Sequence, residues 1–452
     1  MVVLLRPAWA QDPNSAASQS ANPSSDDANQ SQTPYGPGKI VADTRPLSGA
    51  EYLTLGIPER DRNVLNASIQ ADQRADSNST GSGTATSWTG DTDLYGNAVL
   101  NRSGKRNSFT AQYAGGASYF GESDLQSTQF LKASQVFGWQ RMSLTLTDQV
   151  TYSPEAPFGY PGPWAFSIGN VGTKPVLIPN QTVLTGEGTR VSNVSLAEAD
   201  YGLSRRSSLT AVASYGLLDY FTTGAVDSNQ VNGMLGYNFA LTPHNKFAVS
   251  YGYARINFLD NANGHSKTEV QTSSVSYGFQ ATGRLSFQIA AGAQLVKSFF
   301  PGSAELTNLY PYGQAVMTYA WHRTTLGLLG SQSILSGGGL YPASRATLAQ
   351  ASLSRLLSRK WEGALLAGYA RNSPLQTYLD TSSQLSHTGY AGATVRRSLG
   401  RHAGLYFLYN FQRQEVNSFC TGTLCAQSFL RHSAGVGIDW RFSPWYFHVI
   451  ED

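Results

Sequence analysis

From about Asn63 to Phe442, apolar and polar residues alternate along most of the chain. The clearest stretch runs from Arg284 to Lys297, where every second residue is apolar or small: Leu285, Phe287, Ile289, Ala291, Ala293 and Leu295. Successive side chains of a β-strand point to opposite faces of the sheet, so this stretch predicts a strand with one apolar and one polar face. The same pattern predicts strands at 231–241, 246–258, 271–281, 404–413 and 433–442.

The connections between these strands alternate between short and long. The short ones are typical of hairpin turns and lie at 103–106, 140–141, 204–207, 242–245, 283–284, 322–323, 358–360 and 400–402. The long, polar ones lie at 120–126, 154–188, 221–229, 259–268, 299–308, 336–343, 373–383 and 415–427. In membrane barrels short turns face the periplasm and long loops face outward.

The connections define 17 strands from Thr92 onward, and Asn63–Gln73 supplies an eighteenth. An even number is expected because closed single-chain bacterial barrels have even strand counts. Sixteen is the main competing count, since Asn63–Gln73 and Gln126–Trp139 show the pattern more weakly.

Composition narrows the fold class. Charged residues make up 13% of the 452 residues, roughly half the share of about 25% that is usual in soluble domains. No apolar run of about 18 residues occurs, so no spanning helix is expected. We therefore predict an all-β fold, a closed antiparallel transmembrane β-barrel over residues 62–442. A soluble propeller or sandwich is the alternative, but no blade repeat is visible and the apolar face has no second sheet to cover it.

The two ends of the chain lie outside this pattern. Ala8-Trp9-Ala10 is typical of a signal-peptidase site. We interpret residues 1–10 as the remnant of a signal peptide that begins upstream, with a chance resemblance as the alternative. Residues 11–61 are expected to form a periplasmic segment, disordered up to about Gly38 and lid-like after it. Residues 443–452 form a C-terminal tail.

The chain has two cysteines, Cys420 and Cys425. No His or further Cys stands near them at the spacing of a metal site, so no metal or other cofactor is predicted. A disulfide that closes a tight loop suits an exported protein, and two free thiols are the alternative.

The last predicted strand resembles the C-terminal assembly signal of bacterial outer-membrane β-barrel proteins. That signal has a Gly, an aromatic residue three positions later and a final aromatic two positions after that, which Gly437, Trp440 and Phe442 match. Gly435 stands where the family has a polar residue. The family usually ends at the final aromatic residue of the signal, whereas this chain continues with SPWYFHVIED after Phe442. The resemblance implies recognition by the barrel-assembly machinery, insertion into outer-membrane lipid and a porin-like fold.

Eighteen strands enclose a lumen wide enough for water. The inward residues are mostly Ser, Thr, Gly, Gln and Asn, which line a channel rather than fill it. By resemblance to general porins, whose third outer loop folds into the lumen, the 154–188 loop is the candidate constriction, with Tyr160 and Trp164 as its aromatic candidates. A flap on the surface is the alternative.

Glu198 and Asp200 lie two apart, so a strand places both carboxylates on one face. Facing the lumen, they would favour cations or bind sugars by hydrogen bonds, whereas a structural ion pair with Lys132 is the alternative. Glu362 and Asp439 are further candidates to line the pore.

These features predict an outer-membrane channel for passive diffusion of small hydrophilic solutes. The second hypothesis is a structural or interaction barrel, plugged by residues 39–61 and the 154–188 loop. An outer-membrane lipid hydrolase is the least favoured, since only His387 and His432 lie on predicted strands and neither has a Ser in evident triad geometry. A net charge of +3 does not suggest nucleic acid as a partner, and association into a homo-oligomer is left open.

Overall fold

The computed structural model describes residues 63–78, 88–104, 106–120, 124–153, 189–221, 227–259, 266–282, 284–299, 305–337, 341–375, 385–416 and 428–447. The predicted signal remnant, periplasmic segment, disulfide and 154–188 loop lie outside the described residues, as does most of the C-terminal tail. Among the residues described, no helix is long and apolar enough to cross a bilayer.

The described chain forms long antiparallel strands. They are β1 (Val64–Asp76), β2 (Thr89–Ser103), β3 (Asn107–Phe120), β4 (Asp124–Gly138), β5 (Met142–Ser153), β6 (Arg190–Gly202), β7 (Ser207–Tyr220), β8 (Ser228–Thr242), β9 (Asn245–Phe258), β10 (Ser266–Thr282), β11 (Leu285–Phe299), β12 (Leu306–Trp321), β13 (Thr324–Gly337), β14 (Tyr341–Leu356), β15 (Trp361–Pro374), β16 (Ser386–Ser398), β17 (Ala403–Val416) and β18 (Phe429–Arg441). A two-residue strand, β19 (Trp445–Tyr446), follows.

The strands close into a barrel. Each long strand pairs with the next in sequence, and β1 also pairs with β18, with Ala71 opposite Ile438. The short β19 extends this closing seam by pairing with the start of β1. The prediction of eighteen barrel strands is confirmed and the count of sixteen is wrong, because β1 and β4 are both full strands.

Large apolar side chains cover the outer face of the barrel and are exposed. They include Leu94, Leu131, Leu235, Val249, Leu365 and Ile438. Exposed aromatic residues form a belt near the short turns (Trp139, Tyr201, Trp321, Trp440 and Phe442) and a second belt further up (Tyr215, Tyr251, Tyr369 and Tyr409). An apolar outer band between two aromatic girdles is the surface of an outer-membrane barrel. The pairing of β1 with β18 closes the sheet on itself, as a strand structure in lipid requires.

Tight turns connect the strands at the lower end of the barrel, which we define as the end with the short turns. In the turn at His322 and Arg323, His322 has a φ of 50°. Hairpins of two residues favour positive φ, because such turns match the twist of the flanking strands. The short connections predicted from the sequence therefore correspond to hairpin turns wherever the structure describes them.

Tyrosine rings on the inner face lie against glycines of the neighbouring strand. Three such pairs face each other directly across the ladder: Tyr95 with Gly116, Tyr390 with Gly368, and Tyr406 with Gly437. At each of these glycines a Cβ atom would collide with the ring. The rings cover the bare backbone of the glycines, a known device for fixing register in curved sheets.

Candidate functional site

Charged residues concentrate on one part of the inner face, across β16, β18, β1 and β2. We call this set the charged wall; its members are Asp72, Arg74, Asp76, Asp91, Asp93, Arg396, Arg431 and Asp439. Every one of them is less than a tenth exposed. Because charges buried in this way are costly unless paired, their partners decide what the wall can do.

At the lower end of the charged wall, Arg396 forms a two-pronged ion pair with Asp439. Arg396 Nε and Nη2 donate to Asp439 Oδ1 and Oδ2 at 3.1 and 2.8 Å. These residues lie on β16 and β18, so the pair reaches across β17, where Gly404 leaves the space that a Cβ atom would fill. Arg441 Nε lies 3.5 Å from the same carboxylate. Glu362 interacts electrostatically with both Arg396 and Arg441. Two predicted pore residues, Glu362 and Asp439, thus belong to one cluster.

At the upper end, Arg74 of β1 and Arg431 of β18 pair with aspartates of β1 and β2. Arg74 Nε lies 2.9 Å from Asp72 Oδ2, and the Arg74 guanidinium also pairs with Asp93. Arg431 pairs with Asp76 at 2.7 Å. Tyr406 donates a hydrogen bond of 2.8 Å to Asp72 Oδ1. These contacts tie the first, second and last strands together on the inner face.

The charged wall holds five carboxylates and three guanidinium groups. When all are ionised it carries an excess of two negative charges, so its field attracts cations and its carboxylates accept hydrogen bonds. Sequence reasoning singled out only Asp439 among its members. The signal was nevertheless present, because charged residues recur at every second position of Asp72–Asp76 and Asp91–Asp93.

A second acidic group lies on the inner face of β6. Glu198 and Asp200 share that face, as their spacing predicts, and Glu198 is buried. Thr210 donates to Asp200 Oδ1 at 2.7 Å, and Asn238 donates to Thr210 at 3.0 Å.

The upper ends of β13 to β15 bend into the barrel, and we call this part the infold. Ile334 of β13 stands on the outer face by register, as does the exposed Leu328, yet it is only 8% exposed. Its side chain belongs to one apolar cluster with Val270 and Val296, which lie on the inner face of β10 and β11. The Ile334 amide donates to Gln294 Oε1 of β11 at 3.2 Å. The outer face of β13 therefore packs against the inner face of β11.

Further contacts of the infold extend to β9 and β12. Leu375, directly after β15, packs against Ile256 and Phe258 on the inner face of β9. The Arg345 guanidinium of β14 lies 5.8 Å from the centre of the Tyr310 ring of β12. Part of the barrel wall thus occupies space that a regular cylinder would leave to the lumen.

Inner-face side chains at the upper end are almost completely covered. Ser344, Asn372, Thr388 and Gln414 are each at most 1% exposed. Side chains that face a wide water-filled lumen would be much more accessible. These four side chains are therefore covered by other parts of the chain rather than by water.

Other predicted site residues lie where no placement can be given. Tyr160, Trp164, Cys420 and Cys425 are all outside the described residues. In the part of the chain that is described, no group of three or more His, Cys, Asp or Glu residues could hold a metal ion. Of the residues of the predicted assembly signal, Gly437 is buried on the inner face, while Trp440 and Phe442 are exposed.

No protein-family model matches the sequence, and no curated protein is significantly similar to it. Solved structures with a similar fold include OccK2 (OpdF) of Pseudomonas aeruginosa, which is 10% identical with a TM-score of 0.42 over 83% of this chain and 98% of that one. OccAB3 of Acinetobacter baumannii is 10% identical with a TM-score of 0.40 over 84% and 99%. The ferric citrate transporter FecA, without its ligand, is 11% identical with a TM-score of 0.42 over 87% and 68%. Identities this low assign no activity to the present chain.

Proposed function

We propose that this protein is an outer-membrane channel for the passive diffusion of small hydrophilic solutes. The observation that carries the proposal is a closed barrel of eighteen strands whose outer face is apolar and whose inner face is polar and charged. Barrels of this strand number enclose an aqueous lumen.

The charged wall and the Glu198 and Asp200 pair supply the interactions that a passing solute meets. Both regions carry more carboxylates than cationic groups, so they favour cations and solutes rich in hydroxyl groups. Glu362 and Asp439 act at the lower end of this path, close to Arg396 and Arg441. The infold narrows the upper end, which limits the channel to small solutes.

Swelling of proteoliposomes tests this function directly. Vesicles that contain the full-length protein are diluted into isotonic solutions of neutral sugars of increasing size. We expect fast swelling with a pentose and progressively slower swelling with di- and trisaccharides. Absence of swelling with every sugar, in vesicles whose protein is shown to be folded, would contradict a diffusion channel.

A plugged structural barrel is the second candidate, and one observation favours it. The nearly complete burial of Ser344, Asn372 and Thr388 is what a lumen filled at its upper end would show. In that case sugars cause no swelling in the intact protein. Deletion of residues 154–188 would then open the barrel, whereas in a channel the same deletion only raises the size limit.

A further inference from the structure

The seam between β12 and β13 stops before either strand ends. The last paired residues are Gly313 and Gln332, although β12 continues up to Leu306 and β13 continues up to Gly337. Both upper ends stay paired on their other sides, to β11 and β14. The β12–β13 ladder is continuous from the lower turn up to Gly313 and Gln332. Above these residues the two strands separate, and we call the gap between their upper ends the wedge.

The local sequence explains where the strands separate. Pro311 lies two residues above Gly313 on β12. It has no N–H to give to a ladder, which is why proline is confined to strand edges and irregular positions. The Gln332 side chain donates to the Pro311 carbonyl at 3.4 Å. A side chain thus takes the place of the missing backbone partner at the apex of the wedge.

The height of the wedge places it at the outer part of the bilayer. Gly313 lies eight residues above Trp321 of the lower aromatic belt. With a rise of about 3.3 Å per residue and a tilt of about 40°, this is roughly 20 Å, inside an apolar band of about 25 Å. The wedge therefore begins within the membrane and widens toward the upper rim.

The walls of the wedge combine an apolar floor with a cationic group. Val270, Val296 and Ile334 form the floor, where they pack on one another and are each less than a tenth exposed. Beside the floor, Arg345 lies directly across the ladder from Ile334, with its guanidinium 5.8 Å from the centre of the Tyr310 ring. Among the described residues Arg345 has no ion pair. At the outer lip Leu309 is 70% exposed. An apolar chain that separates these side chains meets an apolar surface, and a negatively charged head can pair with Arg345.

We propose that the β12–β13 wedge is a lateral portal that binds an anionic amphiphile, a carboxylate with a long apolar chain, between the outer leaflet and the lumen. The apolar chain passes between strands that are held by side-chain packing rather than by backbone hydrogen bonds. The carboxylate pairs with Arg345, which keeps it from being buried without a partner. This route is separate from the axial path of hydrophilic solutes and does not depend on it.

Photo-labelling in proteoliposomes tests the portal. The probe is dodecanoic acid with a diazirine in its chain, and labelled residues are mapped by mass spectrometry. We expect labelling concentrated on Tyr310 and Ile334, reduced at least about fivefold by Arg345→Ala and largely kept by Arg345→Lys. Arg255→Ala is the matched control, since Arg255 stands on the outer face of the fully paired β9. Labelling spread evenly over the outer face, or unchanged by Arg345→Ala, would overturn the proposal.

Two further measurements close the test. In a background with Cys420→Ser and Cys425→Ser, oxidation of a Val296→Cys, Ile334→Cys pair should lock the floor and suppress labelling of Tyr310, and reduction should restore it. A dodecyl ammonium probe with the same diazirine should label the wedge far less. Unchanged labelling of Tyr310 after oxidation of the cysteine pair would reject the portal. Equal labelling by the cationic probe would reject an anionic ligand. Ion conductance recorded on the same samples reports on the axial channel separately.

Discussion

The ring of Tyr406 lies against the backbone of Gly437, directly across the β17–β18 ladder. The same tyrosine donates a hydrogen bond to Asp72 of β1, so it connects the last hairpin to the first strand. A Cβ atom on Gly437 would collide with this ring and also with Asp72. The closing seam of the barrel therefore depends on a glycine at this position.

Replacing Gly437 by valine should weaken closure. Overpacking of this kind costs about 1–3 kcal/mol, so the variant should lose its folded, heat-modifiable band on electrophoresis at a lower temperature than the wild type. Gly389→Val is the control, because a Cβ atom there meets nothing within 4 Å. Equal losses in both variants would show that the Tyr406 contact is not what requires a glycine.

The buried ion pair of Arg396 and Asp439 should contribute far more than an exposed pair. Asp439→Ala leaves a buried guanidinium without its partner, which costs about 3–5 kcal/mol. Glu415→Ala removes the exposed pair with Arg413 and should cost at most about 1 kcal/mol. Urea unfolding in lipid vesicles measures the loss of unfolding free energy in each variant. Similar losses in Asp439→Ala and Glu415→Ala would contradict a buried ion pair between Arg396 and Asp439.

Glu198 and Asp200 should set part of the ion preference. The double variant Glu198→Gln, Asp200→Asn removes two negative charges from the inner face, so the reversal potential in a KCl gradient should shift toward anion selectivity. Asp148→Asn is the control, since Asp148 is exposed on the neighbouring strand and bonds to Ser195. A shift in the control as large as in the double variant would place the selectivity elsewhere.

The infold should restrict the current. Ile334→Ala removes most of its contact with Val270 and Val296, a loss worth about 2–5 kcal/mol of packing. A looser infold should raise the conductance of single channels or make it fluctuate. Leu328→Ala on the outer face is the control, because that side chain is exposed. Identical, steady conductance in wild type and Ile334→Ala would mean that the infold does not limit the path.

Sequence alternation predicts the barrel because the period of two and the apolar face are local properties of each strand. It places Glu198 and Asp200 on one face for the same reason. It does not reveal the pairing of Arg396 with Asp439, which lie two strands apart in the sheet. The charged wall is missed for this reason, although the recurrence at Asp72 and Arg74 hints at it.

The infold cannot be predicted from the sequence pattern, for a different reason. Ile334 continues the regular alternation of β13, so its pattern predicts a lipid-facing side chain. The structure shows instead that the β12–β13 pairing ends at Gly313 and Gln332. Beyond that point Ile334 packs against Val270 and Val296 on the inner face of β10 and β11. Pro311 is the single residue nearby that signals an interrupted ladder.

The most direct test of the central claim is the conductance of the purified full-length protein in a planar lipid bilayer. A closed barrel with a hydrated path predicts discrete steps of steady current that scale with salt concentration. A protein that inserts and gives its heat-modifiable folded band but passes no steady current would contradict the account.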